Sequence, residues 1–217
     1  FGVVLFQAED EIAAIGACLG AAFGGCLAMT VTSGPGFDLK TESLGLAVMA
    51  ELPLLVLNVQ RAGGSTGLPT KTGQSDLRQA LYGRHGESPL PVIAATTPTN
   101  CFDTLIEAFT IAIRYMTPVV VLLDAYLANA AEPWLIPESD TLVMPEIQFN
   151  RAKAPFARDE KLARSWNRPG SEGYIHQLGG LEKQGEWGKV SYDAQNHQDM
   201  VQLRAKKIDQ IALDYPK

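Results

Sequence analysis

Residues 92–123 read VIAATTPTNCFDTLIEAFTIAIRYMTPVVVLL, and this stretch decides the fold class. Val92–Ala95 is a short aliphatic run. Thr99–Met116 carries Phe102, Leu105, Ile106, Phe109, Ile113 and Met116 three or four residues apart, and Pro118 then precedes Val119–Leu123. That spacing is the apolar stripe of a helix, whereas short β-branched runs bounded by breakers read as buried strands. Thr99 or Asn100 can cap the helix. The stretch is therefore a strand, a helix and a second strand.

The same alternation extends towards the N-terminus. Val3–Gln7, Ala28–Thr32 and Leu54–Val59 read as further buried strands, with Glu11–Gly24, Asp38–Glu51 and Ser75–Tyr82 as helices and Pro53 just ahead of a strand. Alternation of β and α over about 125 residues implies an α/β fold, an open and mostly parallel sheet with helices on both faces. Such sheets bind ligands at the carboxyl ends of their strands.

Of the 217 residues 46% are hydrophobic and 19% charged, with a formal net charge of −6. An acidic balance argues against nucleic-acid binding and against a polybasic membrane patch. No apolar run approaches the roughly 18 residues of a transmembrane helix, and no secretory signal is visible. Cys18, Cys26 and Cys101 are an odd number without C-x-x-C spacing, so reduced thiols and a cytoplasmic location are expected. His85, His176 and His197 lie far apart, and no metal held by this chain's own His and Cys is expected.

Residues 1–60 contain 7 charged side chains and residues 150–217 contain 21, and all three tryptophans follow residue 130. The expected division is an α/β domain over 1–130 and a polar extension over 131–217. Pro137, Pro145 and Pro155 make the extension largely loop, draped over the domain, with a closing helix over Asn196–Tyr215 whose Lys and Arg face solvent. The chain opens at Phe1 inside what reads as a strand, so the domain is expected to lack its N-terminal segment.

Three features fall at strand ends. Glu9-Asp10-Glu11 precedes an Ala/Gly-rich helix, where acids either cap the helix and complement its dipole or serve a ligand. Thr32-Ser33-Gly34-Pro35-Gly36 suits close backbone approach to a ligand, or simply a tight turn. Arg61 followed by a mobile Gly/Ser/Thr loop to Thr72 suits a carboxylate or phosphate, or an ordinary ion pair. The loop is no phosphate-binding P-loop, because Thr70 stands where that motif needs Gly before Lys71.

Taken in order, Gln7-Ala8-Glu9-Asp10-Glu11-Ile12-Ala13-Ala14-Ile15-Gly16, Thr32-Ser33-Gly34-Pro35-Gly36-Phe37-Asp38-Leu39, and Gln60-Arg61 with Ser65-Thr66-Gly67-Leu68-Pro69-Thr70 resemble the α subunit of 2-oxoacid:ferredoxin oxidoreductases, 2-oxoglutarate type. The likeness covers roughly residues 3–125 and includes His85-Gly86-Glu87. Gly179–Lys183, Ser191–Asp193 and Asn196-His197 resemble the tail that follows this domain in the family.

The resemblance implies the pyrimidine-binding domain of a thiamine diphosphate enzyme. Glu11 matches the glutamate that bonds the pyrimidine nitrogen and promotes removal of the thiazolium C2 proton. Arg61 matches the arginine that holds the substrate carboxylate, and Thr70 a threonine of the same pocket. Ser33, Gly34, Pro35 and Gly36 would border the cofactor. The implied reaction is oxidative decarboxylation of 2-oxoglutarate to succinyl-CoA, with CoA as co-substrate and electrons passing to ferredoxin.

The family anchors the diphosphate and Mg2+ through Gly-Asp-Gly and a downstream Asn. This sequence has no Gly-Asp-Gly and no iron–sulfur ligand set, so a partner β subunit is expected to supply Mg2+ and the iron–sulfur cluster. A non-catalytic assembly or regulatory module of the same fold, and half of a split thiamine diphosphate decarboxylase, are the alternatives. Arg61 would grip the 1-carboxylate of any 2-oxo acid, so pyruvate and branched 2-oxo acids stay open.

Overall fold

The computed structural model describes residues 2–143 and 145–215. In chain order the elements are α1 (Glu11–Phe23), β1 (Met29–Thr32), α2 (Pro35–Asp38), α3 (Thr41–Ala50), β2 (Leu55–Ala62), β3 (Leu68–Thr72) and α4 (Leu77–Tyr82). They continue with β4 (Val92–Ala94), α5 (Asn100–Tyr115), β5 (Val119–Asp124), α6 (Ala125–Asn129), a 3-10 turn (Ser139–Thr141), β6 (Lys183–Gln184), β7 (Lys189–Val190) and α7 (Ala194–Asp214). The main sheet runs β1-β2-β5-β4, all parallel, with β3 antiparallel on the far end of β2.

Period-two alternation explains why helices cover both faces. Leu54 and Val56, with Val120 and Leu122, pack against Ile15, Phe37, Leu44, Ala47 and Val48 from α1, α2 and α3. Leu55, with Val119 and Val121, packs against Ala108, Ile111, Ala112 and Tyr115 of α5 and Ile211 of α7. Strands buried on both sides read as continuous aliphatic runs for this reason.

Several details depart from the sequence reading. The most deeply buried residues of α5 towards the sheet are Thr104, Ala108, Ile111, Ala112 and Tyr115, with Leu105 and Phe109 of the expected stripe half-buried against the same cluster. Its alanines let the helix axis approach the sheet, while Ile113 and Met116 turn to a second cluster with Ala163 and Trp166. Thr99 occupies the N-cap of α5 as expected but makes no side-chain capping bond; the Thr97 hydroxyl accepts from the Asn100 N–H at 3.1 Å instead.

Residues 3–7 form no strand, and Val3, Val4 and Leu5 are each at least 86% exposed. A strand needs a neighbour's backbone, and β1 pairs only with β2. Phe1, part of the same expectation, lies outside the described residues. The stretch after Arg61 is a bulged hairpin rather than a mobile loop, with Arg61 opposite Thr72 and Ala62 opposite Leu68. Every residue of β3 is exposed, so it carries no alternating apolar signal.

The segment 131–193 drapes over the carboxyl ends of two helices, α1 and α3, and supplies donors to their unpaired carbonyls. The Trp166 indole donates to Ala22 O at 2.9 Å, Lys183 Nζ to Met49 O at 3.1 Å, and Arg164 Nε to Glu51 O at 3.3 Å. Of the basic residues of α7, Arg204 and Lys207 are buried rather than solvated, whereas Lys206 faces solvent as expected. Arg204 makes two bonds to Glu182, at 3.0 and 2.9 Å, and Lys207 Nζ lies 2.7 Å from Glu51.

Glu51 also takes a two-point contact from Arg158, at 2.8 and 2.7 Å. Burial alone would raise its proton affinity. The charges of Lys207 and Arg158 overcome that and hold its carboxyl well below the usual range. The motif residues of the tail thus have local duties. Asp193 caps α7 through the Asn196 N–H at 2.7 Å, and the Asn196 amide donates to Lys183 O at 3.1 Å.

Candidate functional site

The first turn of α1 assigns the acidic run. Asp10 is the N-cap, accepting from the Ala13 N–H at 2.7 Å. That leaves Glu11 without a capping duty, and no donor among the described residues engages its carboxylate. Glu11 is half-buried at the amino end of the helix, where a negative charge is favoured.

The Ser33–Gly36 turn lies directly under it. Pro35 opens α2, the Gly36 N–H donates to Ser33 O at 3.2 Å, and Gly34 has φ +53°. A Cβ on Gly36 would stand 2.3 Å from Thr32 Oγ1, 2.8 Å from Glu11 Cγ and 2.9 Å from Glu11 Oε1. Only glycine lets the Glu11 side chain lie here.

Arg61 reaches the other side of the same turn. A Cβ on Gly34 would stand 2.9 Å from Arg61 Nε and 3.2 Å from its Cζ. Arg61 is held by the β2–β3 hairpin, and its Nε is buried without a partner. The structure therefore brings Glu11, Ser33–Gly36 and Arg61 together around two glycines. Thr70 lies on β3, two residues from the partner of Arg61, exposed and with φ +66° in the bulge. It makes no hydrogen bond to Arg61. His85 and Glu87 are exposed in the loop after α4 and touch none of these groups through hydrogen bonds.

Two buried polar arrangements support the site, and the sequence reading missed both. Lys40 is fully buried, and its Nζ donates to Glu11 O at 2.7 Å. Burial pushes the Lys40 ammonium down from its ordinary value, opposed by Glu11, Cys18 and Asp10. At the carboxyl ends of β2 and β5, Asn58 donates to Asp76 at 2.8 Å, the Asp76 N–H to Gln60 at 3.0 Å, and Gln74 to Asp124 at 2.7 Å. Burial would raise the Asp124 carboxyl, but hydrogen bonds from the Leu127 N–H and Gln74 bring it below its ordinary value. The clue to Lys40 was there to read, because it is the single Lys or Arg in residues 1–60.

Among the described residues no three His, Cys, Asp or Glu converge to hold a metal ion. A cavity of about 400 Å³ lies elsewhere, lined by Glu51, Arg158, Glu182, Lys183 and Arg204. Its Glu51 and Glu182 carboxylates already pair with Arg158, Lys207 and Arg204, so although Arg204 Nε is, like Arg61 Nε, buried without a partner, the unengaged carboxylate stays with the Glu11–Arg61 site.

A family model described as "Pyruvate flavodoxin/ferredoxin oxidoreductase, thiamine diP-bdg" matches residues 2–207. The chain belongs to this family. Over 97% of its length it is 56% identical to the 2-oxoglutarate oxidoreductase subunit KorA of Mycobacterium tuberculosis. It is 36% identical over 99% to subunit alpha of 2-oxoacid:ferredoxin oxidoreductase 1 of Aeropyrum pernix. Its fold superposes, over the whole chain, with TM-score 0.89 and 39% identity on a 2-oxoglutarate:ferredoxin oxidoreductase from Magnetococcus marinus with 2-oxoglutarate, coenzyme A and succinyl-CoA bound. The chain spans 33% and 34% of the two curated relatives and 38% of that structure's chain.

This thiamine diphosphate-binding domain thus has the fold and family expected from its sequence. Its residues also fit the cofactor. A pyrimidine ring needs one unengaged carboxylate and a backbone that can be approached closely, and Glu11 above Gly36 offers both. No helix among the described residues is long and apolar enough to cross a membrane.

Proposed function

We propose that this chain forms the pyrimidine side of the active site in a CoA-acylating 2-oxoglutarate:ferredoxin oxidoreductase, completed by a β subunit that holds the diphosphate, Mg2+ and an iron–sulfur cluster. The observation that carries the reading is the meeting of Glu11 and Arg61 on opposite sides of one turn, with glycine at each contact. Bound thiamine diphosphate would supply the nucleophilic carbon for 2-oxo acid decarboxylation. Glu11 would hold a proton at the pyrimidine nitrogen, and Ser33–Gly36 would set the ring's height above the sheet. Arg61 would offer Nε, its buried unpartnered donor, to the 1-carboxylate of the substrate. Thr70 would line the same pocket from the hairpin.

Relatives that act on 2-oxoglutarate support that substrate. The test is anaerobic viologen reduction by the complex purified through the full-length chain, supplied with thiamine diphosphate and Mg2+. Reduction should require both 2-oxoglutarate and CoA. Reduction with pyruvate or branched 2-oxo acids instead would reassign the substrate. Decarboxylation without CoA or an electron acceptor would indicate a split decarboxylase. An intact complex inert to all of them would leave a non-catalytic module.

A further inference from the structure

We propose that Gln74 and Asp124 are positioning residues for Arg61, the hydrogen bond between them fastening the hairpin that presents the guanidinium to the substrate carboxylate. The inference rests on the reading of Arg61 as the group that holds that carboxylate.

The hairpin needs such a fastening. Every residue of β3 is exposed, so no buried side chain of that strand holds it to the sheet. Its backbone pairing runs through Arg61 opposite Thr72 and Ala62 opposite Leu68, with a bulge between them. A two-stranded hairpin without an apolar face is marginal in water. The chain after β3 then turns back over the carboxyl end of β2. A Cβ on Gly73 would stand 2.7 Å from Arg61 C and 2.8 Å from both Arg61 O and Ala62 N. Residue 73 therefore lies flat against the main chain of Arg61.

Hydrogen bonds hold residues 74–76 in that place. The Asp76 N–H donates to Gln60 Oε1 at 3.0 Å, and Asn58 Nδ2 to Asp76 Oδ2 at 2.8 Å, which ties the arm to β2 itself. Gln74 reaches β5 instead, its Nε2 donating to Asp124 Oδ2 at 2.7 Å. Asp124 is buried and divides its carboxylate. Oδ1 accepts from the Leu127 N–H at 2.9 Å and caps α6, while Oδ2 takes Gln74. An N-cap needs only one of those oxygens. Because α6 packs against β2 and β3, Asp124 sets the hairpin from two sides. Arg61 stands between these contacts, its main chain against Gly73 and its side chain against Gly34. A shift of the arm thus reaches the guanidinium, whose donors meet a carboxylate only in a fixed plane.

The experiment measures KM and kcat for 2-oxoglutarate by viologen reduction, with Tm, in the assembled complex of full-length chains. Gln74→Glu sets two carboxylates face to face and should raise KM by about 10-fold, with kcat and Tm changed far less. Combining it with Asp124→Asn restores the bond in the reverse direction and keeps a cap on α6. KM should then return towards wild type. Arg61→Ala should raise KM by itself, and Gln74→Glu added to it should have little further effect. An unchanged KM in Gln74→Glu, no recovery in the double variant, or full additivity with Arg61→Ala overturns the proposal. If Gln74→Glu fails to assemble, Gln74→Ala removes the bond without repulsion, and a wild-type KM there overturns it equally. Arg61→Ala also separates the two readings. If it leaves KM unchanged, the reading of Arg61 fails. If it raises KM while the Gln74 variants do not, only the fastening fails.

Discussion

Gly36→Ala separates the chemistry of this site from its stability. Gly36 is helical, without a positive φ, and alanine is the better helix former by about 1 kcal/mol. The added methyl, however, would fall 0.6 Å inside the 3.4 Å limit of ordinary contact at Glu11 Cγ, 0.5 Å inside it at Oε1, and 1.1 Å inside it at Thr32 Oγ1. Thr32 lies in the sheet, buried, and has little room to retreat. Glu11 is half-buried and is the side chain that moves. A displacement approaching 1 Å at a reacting group is enough to lower rate by about 100-fold. Overpacking offsets the helix gain and leaves a net loss of about 1–2 kcal/mol. The assay is C2 exchange of thiamine diphosphate in the assembled complex, with Tm recorded alongside. Wild-type exchange in a folded Gly36→Ala complex would refute the placement of Glu11 over this glycine.

Further outcomes follow from other contacts. Arg61→Lys keeps the charge but loses the planar donor fork, so KM for 2-oxoglutarate should rise roughly 10- to 100-fold while kcat changes less, read from steady-state viologen kinetics. Glu51→Gln leaves Arg158 and Lys207 buried without their counter-ion and should cost about 3–5 kcal/mol in urea unfolding. The Glu51 carboxyl lies below its ordinary value of 4.5 in the folded chain, so its contribution is complete above that value and is lost as pH falls. Unfolding midpoints of wild type and Glu51→Gln should accordingly begin to converge as pH falls below about 4.5 and come together only in strong acid. Trp166→Phe removes the indole donor to Ala22 O and should lower stability by about 1–3 kcal/mol, measured as a fall in Tm with little change in KM.

The core of the fold was legible because burial on both faces writes itself as aliphatic runs. Leu54–Val59 and Val119–Leu123 differ from their observed strands only at the ends. The hairpin was not legible, because β3 is exposed throughout and its pairing rests on backbone geometry. Val3–Gln7 misled for the opposite reason, since apolar composition was present without a neighbouring strand. In the site, Glu11, Gly34, Gly36 and Arg61 could be named from family spacing. That the glycines serve those two side chains required coordinates. Lys40, Lys207 and Arg204 went unread because sequence shows a charge but not what it faces. A lysine is ordinarily solvated, and only the fold supplies the carboxylate or carbonyl that lets it be buried.

Glu51 ends α3 in the left-handed region at φ 51°, a position where helices commonly place glycine. Glycine there would relieve about 1 kcal/mol of backbone strain. It would also strip the counter-ion from two side chains that are more than a hundred residues further along the chain. The substitution that local geometry invites is the one the distant partners forbid. Improvement at this position is therefore reachable only through a route in which residues 51, 158 and 207 change in concert.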